Sequence, residues 1–61
     1  MRIFKHLETK KVYARTATGL LYELNDRAGW DPTLHTPQHG LRELRKDEYP
    51  TLFQSFEILH A

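Results

Sequence analysis

Two short runs of alternating apolar and polar residues flank the sequence TATG in the N-terminal half of this 61-residue chain. Alternation with a period of two is typical of strands that bury one face. A three-residue loop over 17–19 places Ala14 opposite Tyr22 and gives the strand pair one apolar and one mostly polar face. Gly19 then occupies the position that commonly adopts a left-handed conformation. The pattern therefore predicts a β-hairpin over residues 10–25.

A competing interpretation of the second run is a helix from about residue 17 to residue 28. Leu20, Leu21 and Leu24 would share one side of that helix. Against it, Gly19 would lie in the first turn, and the run VYAR would be a strand without a partner. The hairpin is therefore the favoured interpretation.

The run RIFKHL at residues 2–7 predicts a further strand, antiparallel to the hairpin. If Leu7 pairs with Val12, the apolar residues of this run join the apolar face of the hairpin. Glu8 then lies opposite Lys11, where the two opposite charges form a favourable cross-strand pair.

The middle of the chain, residues 26–40, is rich in residues that form turns. Asp31 and Thr36 each precede a proline, which disfavours helix at both positions. We expect a long loop here, pinned to the core by Trp30 and Leu34.

The C-terminal third predicts a helix from about residue 48 to residue 59. Asp47 is a suitable N-cap, and Pro50 falls in the first turn, where its missing N–H removes no helical hydrogen bond. Apolar side chains recur at helical spacing on one side of this segment. They are Tyr49, Leu52, Phe53, Phe56 and Leu59.

These elements predict a single small α+β domain over residues 1–61. Its three- or four-stranded antiparallel sheet has three strands within residues 2–25 and carries the C-terminal helix on one face. Residues 41–45 form either a short fourth strand or an extra turn of helix. An alternative starts a helix at Pro37, with Leu41 and Leu44 on its apolar side.

Composition changes this picture in three respects. A chain of 61 residues has a marginal core, and the absence of cysteine excludes disulfides and thiolate metal sites as a means of stabilising it. Association with another chain would stabilise it instead. No window approaches the ~20 apolar residues of a membrane-spanning helix, and no signal-peptide pattern is present, so we expect a cytoplasmic protein without membrane contact. The net charge of +1 divides into +4 over residues 1–15 (five basic, one acidic) and −3 over residues 16–61 (four basic, seven acidic).

Little in the chain indicates catalysis or metal binding. His35 and His39 are separated by Pro37, and Asp31 is the one carboxylate near them, so a complete zinc ligand set is lacking. The chain has no glycine-rich phosphate loop and no recognisable nucleophile motif. We therefore predict a protein that is not an enzyme and that holds no cofactor or metal.

The sheet face opposite the helix is the better candidate for function. It interleaves aromatic, basic and apolar side chains, namely Phe4, His6, Lys11, Tyr13, Arg15 and Leu21. Aromatic residues and arginine concentrate in protein interfaces, which favours a protein-interaction module that forms a homodimer through this face. The runner-up is a regulatory nucleic-acid binder that uses the basic N-terminal hairpin, although Glu8 and Glu23 on this face would repel phosphate. A third interpretation is that the 26–40 loop covers this face.

Overall fold

The computed structural model describes the backbone of residues 1–60 and the side chains of residues 1–58. In chain order the elements are β1 (Arg2–His6), β2 (Val12–Arg15), β3 (Leu21–Leu24), β4 (Trp30–Thr33), β5 (Leu41–Leu44) and α1 (Pro50–His60). The strands form one antiparallel sheet in the order β4-β3-β2-β1-β5, so β1 to β4 are a meander and β5 pairs with β1. The predicted α+β class is confirmed, and the prediction of three or four strands is too low.

The predicted hairpin is present with its predicted register. Ala14 lies opposite Tyr22, and the N–H of Thr16 donates to the carbonyl oxygen of Leu20 across the loop at 2.9 Å. Gly19 has a φ of 90°, a conformation that glycine adopts without steric cost. The alternative helix over 17–28 is wrong, because Leu21–Leu24 is a strand that pairs with β2 on one side and β4 on the other.

The register predicted for β1 is wrong by two residues. Lys5, and not Leu7, lies opposite Val12, while Leu7 is exposed in the turn that follows β1. This turn takes up residues 7–10, with Lys10 at a φ of 66°. Because side chains alternate with a period of two, a shift of two residues leaves the side chains of Arg2–His6 on their predicted faces.

The predicted loop over 26–40 contains a fourth strand, Trp30–Thr33, despite its proline. The N–H of Asn25 donates to the carbonyl oxygen of Gly29 at 2.8 Å, and the N–H of Gly29 donates to Oδ1 of Asn25 at 2.9 Å, so these residues occupy a hydrogen-bonding position of the ladder. Since such positions alternate along an antiparallel ladder, Pro32 falls at a position whose backbone nitrogen points away from β3. Its missing N–H therefore costs no bond within the sheet.

The core lies between the sheet and α1. Its buried side chains come from four strands and from the helix: Ile3, Ala14, Trp30, Leu44, Phe53 and Phe56. The rings of Trp30 and Phe56 meet edge to face at 5.2 Å, and the indole N–H of Trp30 donates to Oγ of Ser55 at 3.2 Å. Trp30 thus anchors the middle of the chain as predicted, whereas Leu34 points into solvent and anchors nothing.

The helix begins at Pro50, two residues later than predicted, and the proline occupies its first position. The residue before it, Tyr49, takes the N-cap position, where its carbonyl oxygen accepts from the N–H of Phe53 at 3.3 Å. Asp47 is not the cap, since its carboxylate binds the guanidinium of Arg45 at 2.9 and 3.1 Å. The alternative helix that starts at Pro37 is wrong, because Leu41–Leu44 is a strand.

Of the predicted helix stripe, Phe53 and Phe56 are buried and Leu52 is partly buried against the core. Tyr49 is exposed, since it precedes the first helical turn. The side chain of Leu59 lies outside the described residues.

Candidate interaction surface on the open face of the sheet

The connection between β4 and β5 determines which part of the sheet is accessible. These strands are the two opposite edges, so the chain between them must pass over four strand spacings of ~4.8 Å, or about 19 Å. Thr33 and Leu41 also lie about four residues apart along the strand direction, which brings the distance to about 23 Å. The eight Cα steps from Thr33 to Leu41 reach at most ~26–29 Å. Residues 34–40, termed the strap below, therefore run almost straight across the face opposite the helix, termed the open face.

A groove of about 310 Å³ lies between the strap and the open face. Its lining residues come from the strap and from strands β1, β2, β3 and β5: Phe4, Tyr13, Ala14, Arg15, Leu21, Thr36, Pro37, Gln38 and Leu41. Tyr13, at the centre of the sheet, is only 7% exposed because the strap lies over it. The strap thus covers the middle of the open face and leaves a largely apolar groove beside it.

A cluster of charged groups surrounds Phe4 at one end of the groove. The guanidinium carbons of Arg2 and Arg15 lie 5.2 and 5.6 Å from the centre of the Phe4 ring, within the range of cation–π attraction. Arg2 also forms a two-pronged ion pair with Glu43, with nitrogen–oxygen distances of 2.6 and 3.1 Å. Arg15 has no ion pair among the described residues, so the cluster keeps a net charge of +1.

The Arg2–Glu43 contact shifts the protonation of both groups. The hydrogen bonds from Arg2, assisted by its charge and that of Arg15, hold the pKa of Glu43 below its ordinary value. The same contact raises the pKa of Arg2. Glu43 therefore stays ionised over a wider range of pH than a free glutamate. Its carboxylate pairs with Arg2, which is one of the two cations that flank Phe4.

The other end of the open face is held by local contacts. The Nδ1 atom of His6 accepts from the backbone N–H of Thr9 at 3.1 Å, which fixes this ring against the turn after β1. The Nζ atom of Lys11 lies 3.5 Å from a carboxylate oxygen of Glu23. The predicted pairing of Lys11 with Glu8 is wrong, since the two-residue shift of β1 moves Glu8 into the turn.

The structure brings four of the six predicted partner-binding residues together around the groove: Phe4, Tyr13, Arg15 and Leu21. The remaining two, His6 and Lys11, lie on the same face but are engaged in the contacts described above. Arg2, Leu41 and the strap residues that complete the site were not predicted from the sequence. The short length of the connection between β4 and β5 indicates that it crosses the sheet, but only in combination with the strand order, which places these two strands at opposite edges.

One corner of the molecule next to the groove is apolar and exposed. Leu34 begins the strap and is 87% exposed, and Leu20 at the tip of the hairpin is 57% exposed. Leu20 directly precedes Leu21 and Leu34 directly follows Thr33, so both exposed leucines adjoin the Leu21–Thr33 pair at this end of the sheet. This exposed pair, Leu20 and Leu34, is termed the leucine corner.

His35 and His39 lie exposed on the strap, and no group of three or more metal-ligating side chains occurs within the described part of the chain. Between residues 1 and 60, no helix has the length and apolar character needed to cross a membrane. Comparisons with protein-family models, with curated proteins and with solved structures give no match.

Proposed function

We propose that the protein is a non-enzymatic interaction module that binds a second copy of itself through the open face. The observation that carries the proposal is an exposed apolar side chain on the strap, whose residues 36–38 line an apolar groove. Leu34 protrudes into solvent at 87% exposure, while the groove a short distance away is lined by Phe4, Leu21 and Leu41 and is empty of side chains.

Twofold symmetry makes this combination self-complementary. In a symmetric dimer, residue i of one copy contacts residue j of the other, and j of the first contacts i of the second. Leu34 of each copy then inserts into the groove of its partner, so that both knobs and both holes are used at once. Burial of exposed leucine and aromatic surface provides the free energy of association.

The proposal is tested by sedimentation velocity over a range of protein concentrations. We expect a concentration-dependent dimer, and we expect Leu34→Ser to raise its dissociation constant about tenfold or more, as removal of a central interface residue does. Because Leu34 is so exposed, this variant keeps the fold, which circular dichroism verifies. Ile58→Ser is the matched control, since Ile58 is 72% exposed but lies on the helix, and it should leave the dimer intact.

A wild-type protein that remains monomeric at every concentration contradicts the proposal, as does a dimer that Leu34→Ser leaves unchanged. Tyr13→Ala is a poor test, because Tyr13 is buried under the strap and its removal would disturb the sheet.

A second candidate function, nucleic-acid binding, is favoured by the two guanidinium groups that flank the Phe4 ring. An aromatic ring between cations suits a base stacked beside its phosphates. Two of the five basic side chains of residues 1–15 are already paired with carboxylates, however, which leaves a weaker field than the sequence indicates. Adding labelled single-stranded and duplex oligonucleotides to the same sedimentation experiment tests this candidate. Binding that weakens steeply with salt and with Arg15→Ala supports it, and the absence of co-sedimentation excludes it.

A further inference from the structure

The two edges of the sheet differ in how well they are protected. On β4 the outward-facing backbone positions are Trp30 and Pro32, because Asn25 and Gly29 occupy a hydrogen-bonding position of the ladder and the pattern alternates from there. Pro32 has no N–H, so this edge offers a single outward donor. Proline on an edge strand is a common means of preventing another strand from pairing there.

The β5 edge has no such protection. The N–H of Leu7 donates to the carbonyl oxygen of Gly40 at 2.8 Å, which makes them a hydrogen-bonded pair of the β1–β5 ladder. By alternation, Arg42 and Leu44 then face β1, while the backbone groups of Leu41 and Glu43 face outward. This edge presents two N–H donors and two carbonyl acceptors at strand spacing, and β5 pairs with no other strand of the described chain.

The side chains beside this edge indicate the charge of a strand that would fit it. Lys5 and Arg42 lie directly opposite each other on β1 and β5, on the helix side of the sheet. Like charges in directly opposite positions destabilise a sheet. Neither cation has an ion-pair partner among the described residues. A carboxylate placed next to Arg42 on an added strand would relieve this repulsion.

A second copy of the chain does not supply that carboxylate. Twofold pairing of β5 with itself must be antiparallel and must join outward-facing positions. Even-numbered residues must then oppose even-numbered ones, so the residues that can lie opposite Arg42 are Gly40, Arg42, Leu44 and Lys46 of the other copy. None of these is acidic.

We propose that β5 is a docking edge for an extended acidic segment of another protein, which adds to the sheet as a sixth strand with a carboxylate beside Arg42. Main-chain hydrogen bonds to Leu41 and Glu43 provide affinity, and the Arg42 contact provides selectivity, as in other cases of strand addition. The side chain of Leu41 lines the groove, but the backbone groups that this proposal uses point outward along the edge of the sheet. The two proposals can therefore fail independently.

The test uses the capped peptide Thr-Val-Glu-Val-Thr, with matched peptides that carry Gln or Lys in place of Glu. Binding is followed by NMR of the backbone amides in the Leu34→Ser variant, so that self-association does not interfere. We expect the acidic peptide to shift the amides of Leu41 and Glu43 and to slow their hydrogen exchange, since these N–H groups are the ones left free by β1. The Gln peptide should bind about two- to fivefold more weakly, as expected for an exposed ion pair, and the Lys peptide more weakly still.

Two variants separate the backbone contribution from that of the side chains. Glu43→Pro removes one outward N–H without removing a bond to β1, and we expect it to abolish binding. Glu43→Ala is its control, because it loses the same ion pair with Arg2 but keeps the N–H, and it should retain binding. Equal binding by these two variants overturns the proposal, as do peptide-induced shifts confined to the groove or an equal affinity for the Glu and Lys peptides.

Discussion

At the scale of single residues, surroundings decide what each charge does. Arg2 and Glu43 are distant in the chain and meet because β1 and β5 are neighbours. Arg15, on the next strand, keeps its charge free beside the Phe4 ring. Arginine therefore forms an ion pair in one place and, among the described residues, keeps an unpaired charge in the other.

The lowered pKa of Glu43 makes the stability of the fold depend on pH. A carboxyl group whose pKa is lower in the folded than in the unfolded state contributes stability above its ordinary value, near 4.5, and loses it as the pH falls through the lowered folded value. We expect Glu43→Gln to be less stable than the wild type at neutral pH and equally stable in acid. Urea unfolding at a series of pH values measures the difference, and a difference that does not change with pH would contradict this assignment.

Turn residues give a prediction in which one substitution has opposite effects at two sites. Ala28 has a φ of 61°, a left-handed conformation that is strained for alanine and free of strain for glycine. We expect Ala28→Gly to stabilise the protein by about 0.5–1 kcal/mol. Ala17 lies in the hairpin turn with an ordinary φ, so Ala17→Gly should destabilise it by about 0.4–1 kcal/mol through the entropy of the unfolded chain. Thermal unfolding of both variants checks the prediction, and the same sign for both would refute it.

At the scale of elements, the sequence predicts structure well where a local pattern and its turn agree. The hairpin has alternating strands and a glycine at the left-handed position, and its register follows from these alone. The turn after β1 has no glycine, and Lys10 adopts the positive φ instead, so the register of β1 was set by a turn that the sequence does not reveal. Strand β4 was not predicted because it contains Pro32. The sequence does not show whether the backbone nitrogen of such a proline points toward the neighbouring strand or away from it.

The candidate site was predictable only in part, because its composition depends on the strand order as well as on local patterns. Residues that share a sheet face follow from alternation, and Phe4, Arg15 and Leu21 do line one groove. Whether that face is open depends on the path of the strap, which is a property of the strand order. Tyr13 therefore has the position predicted for it on the sheet, but it is buried.

At the scale of the whole molecule, the strap is a connection with little slack. It spans about 23 Å with a reach of ~26–29 Å, and removing one residue lowers that reach to ~23–25 Å. We expect deletion of Gln38 to pull β5 out of register and to cost at least ~2 kcal/mol, the loss that follows when a buried leucine such as Leu44 leaves the core.

Lengthening the strap should have almost no effect. Insertion of one glycine after Gln38 adds only about 0.1 kcal/mol of loop entropy. Urea unfolding of both variants measures the asymmetry between shortening and lengthening. Similar losses in the two variants would show that the strap is not taut.

The pairing of β5 with β1 also has a consequence in time. Ile3 and Leu44 are adjacent in the sheet but are 41 residues apart in the chain, whereas the other three strand pairings join strands that are neighbours in sequence. During synthesis the N-terminal residues leave the ribosome first, and contacts between distant segments form slowly. In the nascent meander β1 is therefore an unpaired edge strand until residues 41–44 have been synthesised. Pairing of β5 with β1 then satisfies that edge, and β5 becomes the edge strand of the sheet.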